Sequence, residues 1–229
     1  EGWQNRTCEC CSRCTGEWLI MELIVKQTKK ELYGAAFDLL LEGVEKRGSI
    51  RVQGAMGTRE GGIQIQFDES QIQMSPASRR EAVRSAGALI KRAPFRPYTV
   101  VQDGVGGILF HDQIKTGFMK SVGYHLLSLG DHIYTLYFVG FGEKGICAPI
   151  YQNDRYVGEI RKDCTVMDDL HLFRIVFSEL SGIMPLIILC CYVYMITYYR
   201  AGEQVLHGKQ KKMIITKDDY LLSKCKTLL

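Results

Sequence analysis

The sequence predicts an all-β domain that runs into a single apolar helix near its C-terminus. Three observations carry this reading. From Phe37 to Ile175, apolar and polar residues alternate in short segments bounded by Gly, Asn and Asp. These segments recur at the spacing of about 8–12 residues that marks an antiparallel meander, hence a barrel or a sandwich. The alternation then stops, and Leu180 to Tyr199 is a run of 20 residues without a charged side chain.

In chain order, QTKKELYGAAFDLL (27–40) reads as a weak helix or as the start of the first strand. FDLLLEG (37–43) and GSIRVQG (48–54) are extended segments bounded by glycines. GIQIQFDESQIQM (62–74) alternates twice, through Ile63, Ile65 and Phe67 and then Ile72 and Met74, with DES as the turn between. That is a hairpin with one buried face. The charged stretch 75–94, SPASRREAVRSAGALIKRAP, interrupts the series as a surface helix or loop that Pro94 and Pro97 end. Four further hairpins follow. Their turns are expected at Asp103-Gly104, Gly130-Asp131, Asn153-Asp154 and Asp168-Asp169. The glycines Gly140, Gly142 and Gly145 in VGFGEKGICAPIY (139–151) suit a barrel corner, where backbone must bend or approach closely.

Composition narrows the function classes. The chain has 229 residues, 46% hydrophobic and 24% charged, ordinary for a globular domain. A mean hydropathy of −0.05 excludes a polytopic membrane protein. The net charge is +4, and residues 200–229 hold seven basic and three acidic side chains, so the rest of the chain is neutral. A neutral body with a basic tail suits an anionic surface, whereas a nucleic-acid binder calls for interleaved basic and aromatic residues that are missing.

Catalytic and metal-binding patterns are missing too. None of the five histidines pairs with a cysteine or carboxylate at a metal spacing. GVGGILF (104–110) follows a hairpin turn and reads as backbone permission rather than as a phosphate loop. The expectation is a non-enzymatic domain with no cofactor and no metal. Four of the nine cysteines, Cys8, Cys10, Cys11 and Cys14, crowd into residues 1–20 without a second cluster to complete a zinc finger. Met21 opens MELIVKQTKKELYG, and Gly16-Glu17 can be encoded by a purine-rich run upstream of it. Residues 1–20 are therefore expected to be a non-native extension of a bacterial protein. Cys147, Cys164, Cys190, Cys191 and Cys225 are the usage of a reducing compartment. Arg155, Arg161 and Lys162 place three cations within eight residues, a candidate site for an anionic head group. Lys209, Lys211 and Lys212 form a second basic group in the tail.

The stretch GYHLLSLGDHIYTLYFVGFGEKGICAPIYQNDRYVGEIRKD, the Gly107-Ile108 unit and the apolar helix after the last strands together resemble the tubby-like superfamily. The likeness is closest to the bacterial tubby C-terminal-like proteins and their LURP-one and phospholipid-scramblase relatives. It covers residues 95–200 and, more weakly, 21–94. It implies a closed barrel of about twelve antiparallel strands around a central hydrophobic helix at 180–199, within a domain of residues 21–200 followed by a basic tail, 201–229. It also implies a cytoplasmic protein, peripheral at the inner membrane face, that binds anionic phospholipid or a protein partner. The classical tubby phosphoinositide-binding residues cannot be placed here one by one.

The apolar run, SGIMPLIILCCYVYMITYYR (181–200) at its heart, leaves an alternative open. A helix of 20 residues reaches about 30 Å, the thickness of a bilayer core. A single-pass protein with a cytosolic β domain is therefore the second expectation. The residues favour barrel filling. A helix apolar all round needs burial on every side, and Tyr192 and Tyr194 would lie deep in a bilayer, away from the interface tyrosine prefers.

Overall fold

The structure, a computed structural model, describes residues 20–54, 62–77, 95–117 and 120–225. The expected extension at 1–20, apart from Ile20, and nearly all of the charged stretch 75–94 lie outside the described residues.

The strands, in chain order, are β1 (Met21–Glu31), β2 (Gly34–Leu41), β3 (Glu45–Gln53), β4 (Gly62–Phe67), β5 (Ser70–Pro76) and β6 (Phe95–Gln102). They continue as β7 (Val105–Lys115), β8 (Ser121–Leu129), β9 (His132–Leu136), β10 (Val139–Gly140), β11 (Ile146–Gln152) and β12 (Arg155–Lys162). Then come β13 (Thr165–Met167), β14 (Leu172–Phe177), helix α1 (Ile183–Thr197), β15 (Lys209–Lys211) and the short helix α2 (Asp219–Leu222). Twelve of the strands form a closed antiparallel barrel in the order β11–β12–β14–β1–β2–β3–β4–β5–β6–β7–β8–β9. The ring closes where Ile150 of β11 pairs with Leu136 of β9. β10 continues the β9 edge along β11, with Val139 opposite Cys147.

The wall folds this way because its residues alternate. Leu23 and Val25, Phe37 and Leu39, Ile50 and Val52, Ile63 and Ile65, and Ile72 and Met74 all point inward and are buried. The expected turns sit where Asx and Gly residues tolerate left-handed backbone: Asp103-Gly104 and Asn153-Asp154 all have positive φ, as two-residue hairpin turns require. The corner at 140–145 depends on Gly145. Its φ is 90°, and a Cβ there would lie 2.1 Å from the Lys162 carbonyl oxygen.

Helix α1 fills the barrel. A 3₁₀ turn, Leu180–Gly182, leads into it, and all thirteen residues from Ile183 to Met195 are buried. Pro185 occupies the first turn, where its missing N–H costs least. Tyr192 meets the rings of Tyr98 and His125 at 5.6 and 5.0 Å, and Tyr194 meets Phe37 at 4.8 Å. The Tyr194 hydroxyl accepts a hydrogen bond from Gln27 Nε2 at 3.4 Å, and the Tyr199 hydroxyl donates to the Gly54 carbonyl at 2.9 Å. Gly158 sets how closely the helix approaches the wall: a Cβ there would lie 2.7 Å from Leu186 Cδ2.

Of the two readings of QTKKELYGAAFDLL the strand holds and the helix does not: the segment is the β1–β2 hairpin, turning at Leu32-Tyr33. Its helix formers yield to a wall position in which alternate residues face the core. The hairpin expected at Asp168-Asp169 does not pair its own arms as a ladder. β13 instead pairs with β15, Thr165 opposite Lys211 and Met167 opposite Lys209, while β14 joins the barrel. The segment after Arg200 is docked on the barrel as far as Cys225. Lys212 N–H donates to the Cys164 carbonyl at 2.9 Å, and Ile215 bridges to Phe141.

Candidate anion-binding site

The site lies at the barrel mouth where α1 ends and β12 runs out. Residues 161 and 162 are neighbours on one strand, so their side chains take opposite faces. Arg161 points outward, and its Nε donates to Glu159 Oε1 at 2.5 Å. Lys162 points inward and is only 5% exposed. Its Nζ stands 4.9 Å above the Tyr198 ring and 5.6 Å above the Phe173 ring, and donates to the Asp163 carbonyl at 3.0 Å. Among the described residues no carboxylate lies within 4.0 Å of this ammonium. Burial pushes its pKa down to about 8, partly offset by the carboxylate of Asp163.

The tail supplies a second ammonium. Lys212 Nζ lies 5.0 Å from the same Tyr198 ring and donates to the Thr197 carbonyl at the helix C-terminus. Burial and the charge of Arg200 lower its pKa. Lys211 faces Glu143 at 3.8 Å, and Lys209 is exposed on β15. The six expected cations therefore divide. Lys162 and Lys212 meet across Tyr198, and Arg161 and Lys211 lie nearby with carboxylate partners. Arg155 starts β12 beside Glu179, 3.8 Å away, and is separated from Arg161 by six residues, about 20 Å of strand. It does not belong to the site.

Two cations that sequence reasoning passed over complete it. β14 sets Arg174 directly opposite Arg161, and the 3₁₀ turn Gly142–Lys144 brings Lys144 to the rim. Lys144, Arg161, Lys162 and Arg174, with Glu22 and Asp163, line a groove of about 260 Å³. Four cations face two carboxylates there, and Arg174 Nη1 is 3.7 Å from Glu22 Oε1. Arg174 sat unremarked in LHLFRIVF; only the β12–β14 register makes it a neighbour of Arg161, and nothing local encodes that pairing.

Beneath the groove lies a buried polar cluster. Lys30 pairs with Asp169, whose Oδ1 is 3.7 Å from His171 Nε2. His171 packs against Tyr198 at 4.6 Å and Tyr194 at 5.6 Å. Burial, reinforced by the charge of Lys162, pushes its pKa down to about 3, so it is neutral at neutral pH. The guanidinium groups of Arg161 and Arg174 on the outer face of this rim, and the desolvated ammonium of Lys162 on its inner face, are groups that can neutralise and hydrogen-bond a phosphate or carboxylate. No protein-family model matches the chain, and no curated protein or solved structure was found to be similar to it.

Proposed function

We propose that this chain is a non-enzymatic tubby-like domain that binds an anionic phospholipid head group at the cytoplasmic face of a bacterial inner membrane. The observation that carries the reading is Lys162, a desolvated ammonium at the barrel mouth without a carboxylate partner within 4.0 Å among the described residues. Removing a charge from water without a counter-ion destabilises a fold, and an incoming phosphate supplies the missing partner. Arg161 and Arg174 offer planar donors on the outer face of the same rim, and Lys209, Lys211 and Lys212 border the same end. Near an anionic leaflet each exposed basic residue contributes about 1 kcal/mol, screened beyond about 8 Å at physiological salt. Three tail lysines bias location without anchoring it.

The second reading, a single-pass protein, rests on one observation: Leu180–Thr197 has the length and a mean hydropathy of 2.0 for a span. The same helix is enclosed on all sides by the barrel, and a span would leave that barrel unfilled. Vesicle sedimentation tests the proposal. The protein starting at Met21 is expected to pellet with anionic vesicles and to be released by salt. Changing Lys209, Lys211 and Lys212 together to Gln is expected to reduce pelleting with the fold intact. Equal binding to neutral vesicles, insensitive to salt, overturns the reading. Resistance to alkaline carbonate extraction favours the span.

A further inference from the structure

Large apolar side chains exposed singly are ordinary, but a group of them drawn from separate loops marks a surface with a partner. Such a group crowns the barrel end where α1 finishes. The β1–β2 turn carries Leu32 and Tyr33, β13 and the turn after it carry Met167 and Leu170, and the segment between α1 and β15 carries Leu206. These five side chains are 39–58% exposed. The buried Lys30–Asp169 ion pair ties their three segments together, because Lys30 precedes Leu32 by two residues and Asp169 directly precedes Leu170. Asp169 Oδ2 also accepts the Leu206 N–H at 3.4 Å. The Gly202 N–H donates to the Leu32 carbonyl at 2.7 Å, and the Leu170 N–H to the Met167 carbonyl at 2.9 Å. Polar groups thus hold the crown from inside, and its apolar side chains are left facing water.

Cations border the crown. On the β13–β15 ribbon Val166 faces the barrel, so Met167 and its cross-strand partner Lys209 face out together. Arg200 is exposed just past the end of α1. Lys26 is exposed opposite Leu172, a half-buried apolar residue that lines the cation groove. Of the nearby carboxylates, Glu31 pairs with Lys29, Asp168 accepts the Gly208 N–H at 2.8 Å, and Glu203 is exposed. An apolar patch with a basic border is the complement of an anionic bilayer, whose interior takes the side chains and whose head groups meet the cations. The ring of Tyr33 suits the boundary between the two.

We propose that this end of the barrel is a membrane-inserting face: Leu32, Tyr33, Met167, Leu170 and Leu206 enter the interfacial layer of an anionic bilayer while Arg200 and Lys209 meet its head groups. The proposal rests on the lipid reading above and adds to it which end of the molecule enters and by which side chains. The opposite end is built differently. It is marked by the β2–β3 turn, since Leu41 just before that turn pairs with Leu23 near the start of β1, whereas the crown lies beyond the end of β1. The apolar side chain of that turn, Val44, is 87% exposed but stands between Glu42 and Glu45, which an anionic surface repels.

Depth-dependent fluorescence quenching tests this. In the full chain the two tryptophans, Trp3 and Trp18, are changed to Phe, and Tyr33→Trp, Leu206→Trp or Val44→Trp then supplies a single reporter. Phosphatidylglycerol vesicles with brominated acyl chains supply the quencher. Tyr33→Trp and Leu206→Trp are expected to lose about half of their emission or more and to shift to shorter wavelength, while Val44→Trp keeps both. Changing Met167, Leu170 and Leu206 together to Ser is expected to weaken binding to unbrominated vesicles of the same lipid by about tenfold or more. The two crown reporters sit on separate segments, so either decides the matter where the other variant fails to fold. A chain that pellets with the vesicles while neither crown reporter is quenched overturns the insertion and leaves the lipid reading standing. Quenching of Val44→Trp alone puts the other end in the bilayer and overturns it too. A parent chain that does not pellet removes the lipid reading and this proposal with it.

Discussion

Leu189 is the midpoint of the enclosed helix and has no exposed surface. Truncating it to Ala separates a helix that fills a barrel from one that meets lipid. Inside a closed wall neither the strands nor water can take up the space, so the lost transfer free energy adds to the cavity term. Buried Leu→Ala changes cost about 2.7–5 kcal/mol. A full ring of twelve strands collapses poorly around a void, which argues for about 4 kcal/mol, a large part of a typical total of about 5–15. With a urea dependence of about 2–3 kcal/mol per molar, the unfolding midpoint is expected to fall by about 1.5 M. The adjacent thiols Cys190 and Cys191 are buried, and burial pushes both pKa values up. In the intact protein they are expected to resist a thiol reagent, and Leu189→Ala is expected to speed their labelling by about a hundredfold or more as opening becomes easier. The reasoning fails if the midpoint stays within about 0.2 M of the parent and both thiols label in the folded protein as fast as in urea.

The parts of this fold that were legible in sequence are those whose signal is local. Ile63, Ile65 and Phe67 against Ile72 and Met74 encode the β4–β5 hairpin because period-2 burial is written into consecutive residues. Asp103-Gly104 and Asn153-Asp154 encode their turns because few residue types accept left-handed backbone. The apolar helix is encoded by length. Where partners are distant the signal fades. β1 looks helical through Lys29, Lys30 and Glu31, and only its place between β14 and β2 imposes strand. β13 is three residues long and pairs more than forty residues downstream, so no window contains both arms. The candidate site divides in the same way. Lys162 and Arg161 were found as a pair, though strand alternation already implied that they face apart. Arg174 and Lys144 were invisible because cross-strand register brings one in and a corner in the chain brings the other.

Two further outcomes follow from the buried charges. Lys162→Met is expected to raise stability by about 1–3 kcal/mol, since the pKa of about 8 against an ordinary 10.5 measures how poorly the fold tolerates the ammonium. The same change is expected to weaken pelleting with anionic vesicles, and a variant that loses stability without losing binding refutes the assignment. Acid acts through His125 and His171. Both are buried, with Nδ1 unpaired among the described residues. Burial pushes each down to about 3, His111 adding to the effect at His125 and Lys162 to that at His171. The unfolded chain, with ordinary values of 6.5, binds more protons than the folded one throughout the interval from 6.5 down to about 3. Stability is therefore complete above pH 6.5 and is lost as the pH falls below it. Each histidine contributes about 1.4 kcal/mol at pH 5.5, so the pair lowers stability by about 3 kcal/mol between pH 7.5 and 5.5, above the range where ordinary carboxylates titrate. Urea midpoints measured across that interval read the loss directly. His125→Phe, which keeps the ring contact with Tyr192, is expected to remove about half of the slope. A midpoint that does not change between pH 7.5 and 5.5 means that neither imidazole is held neutral, and the enclosed interior described around Tyr192 and Tyr194 does not exist in solution.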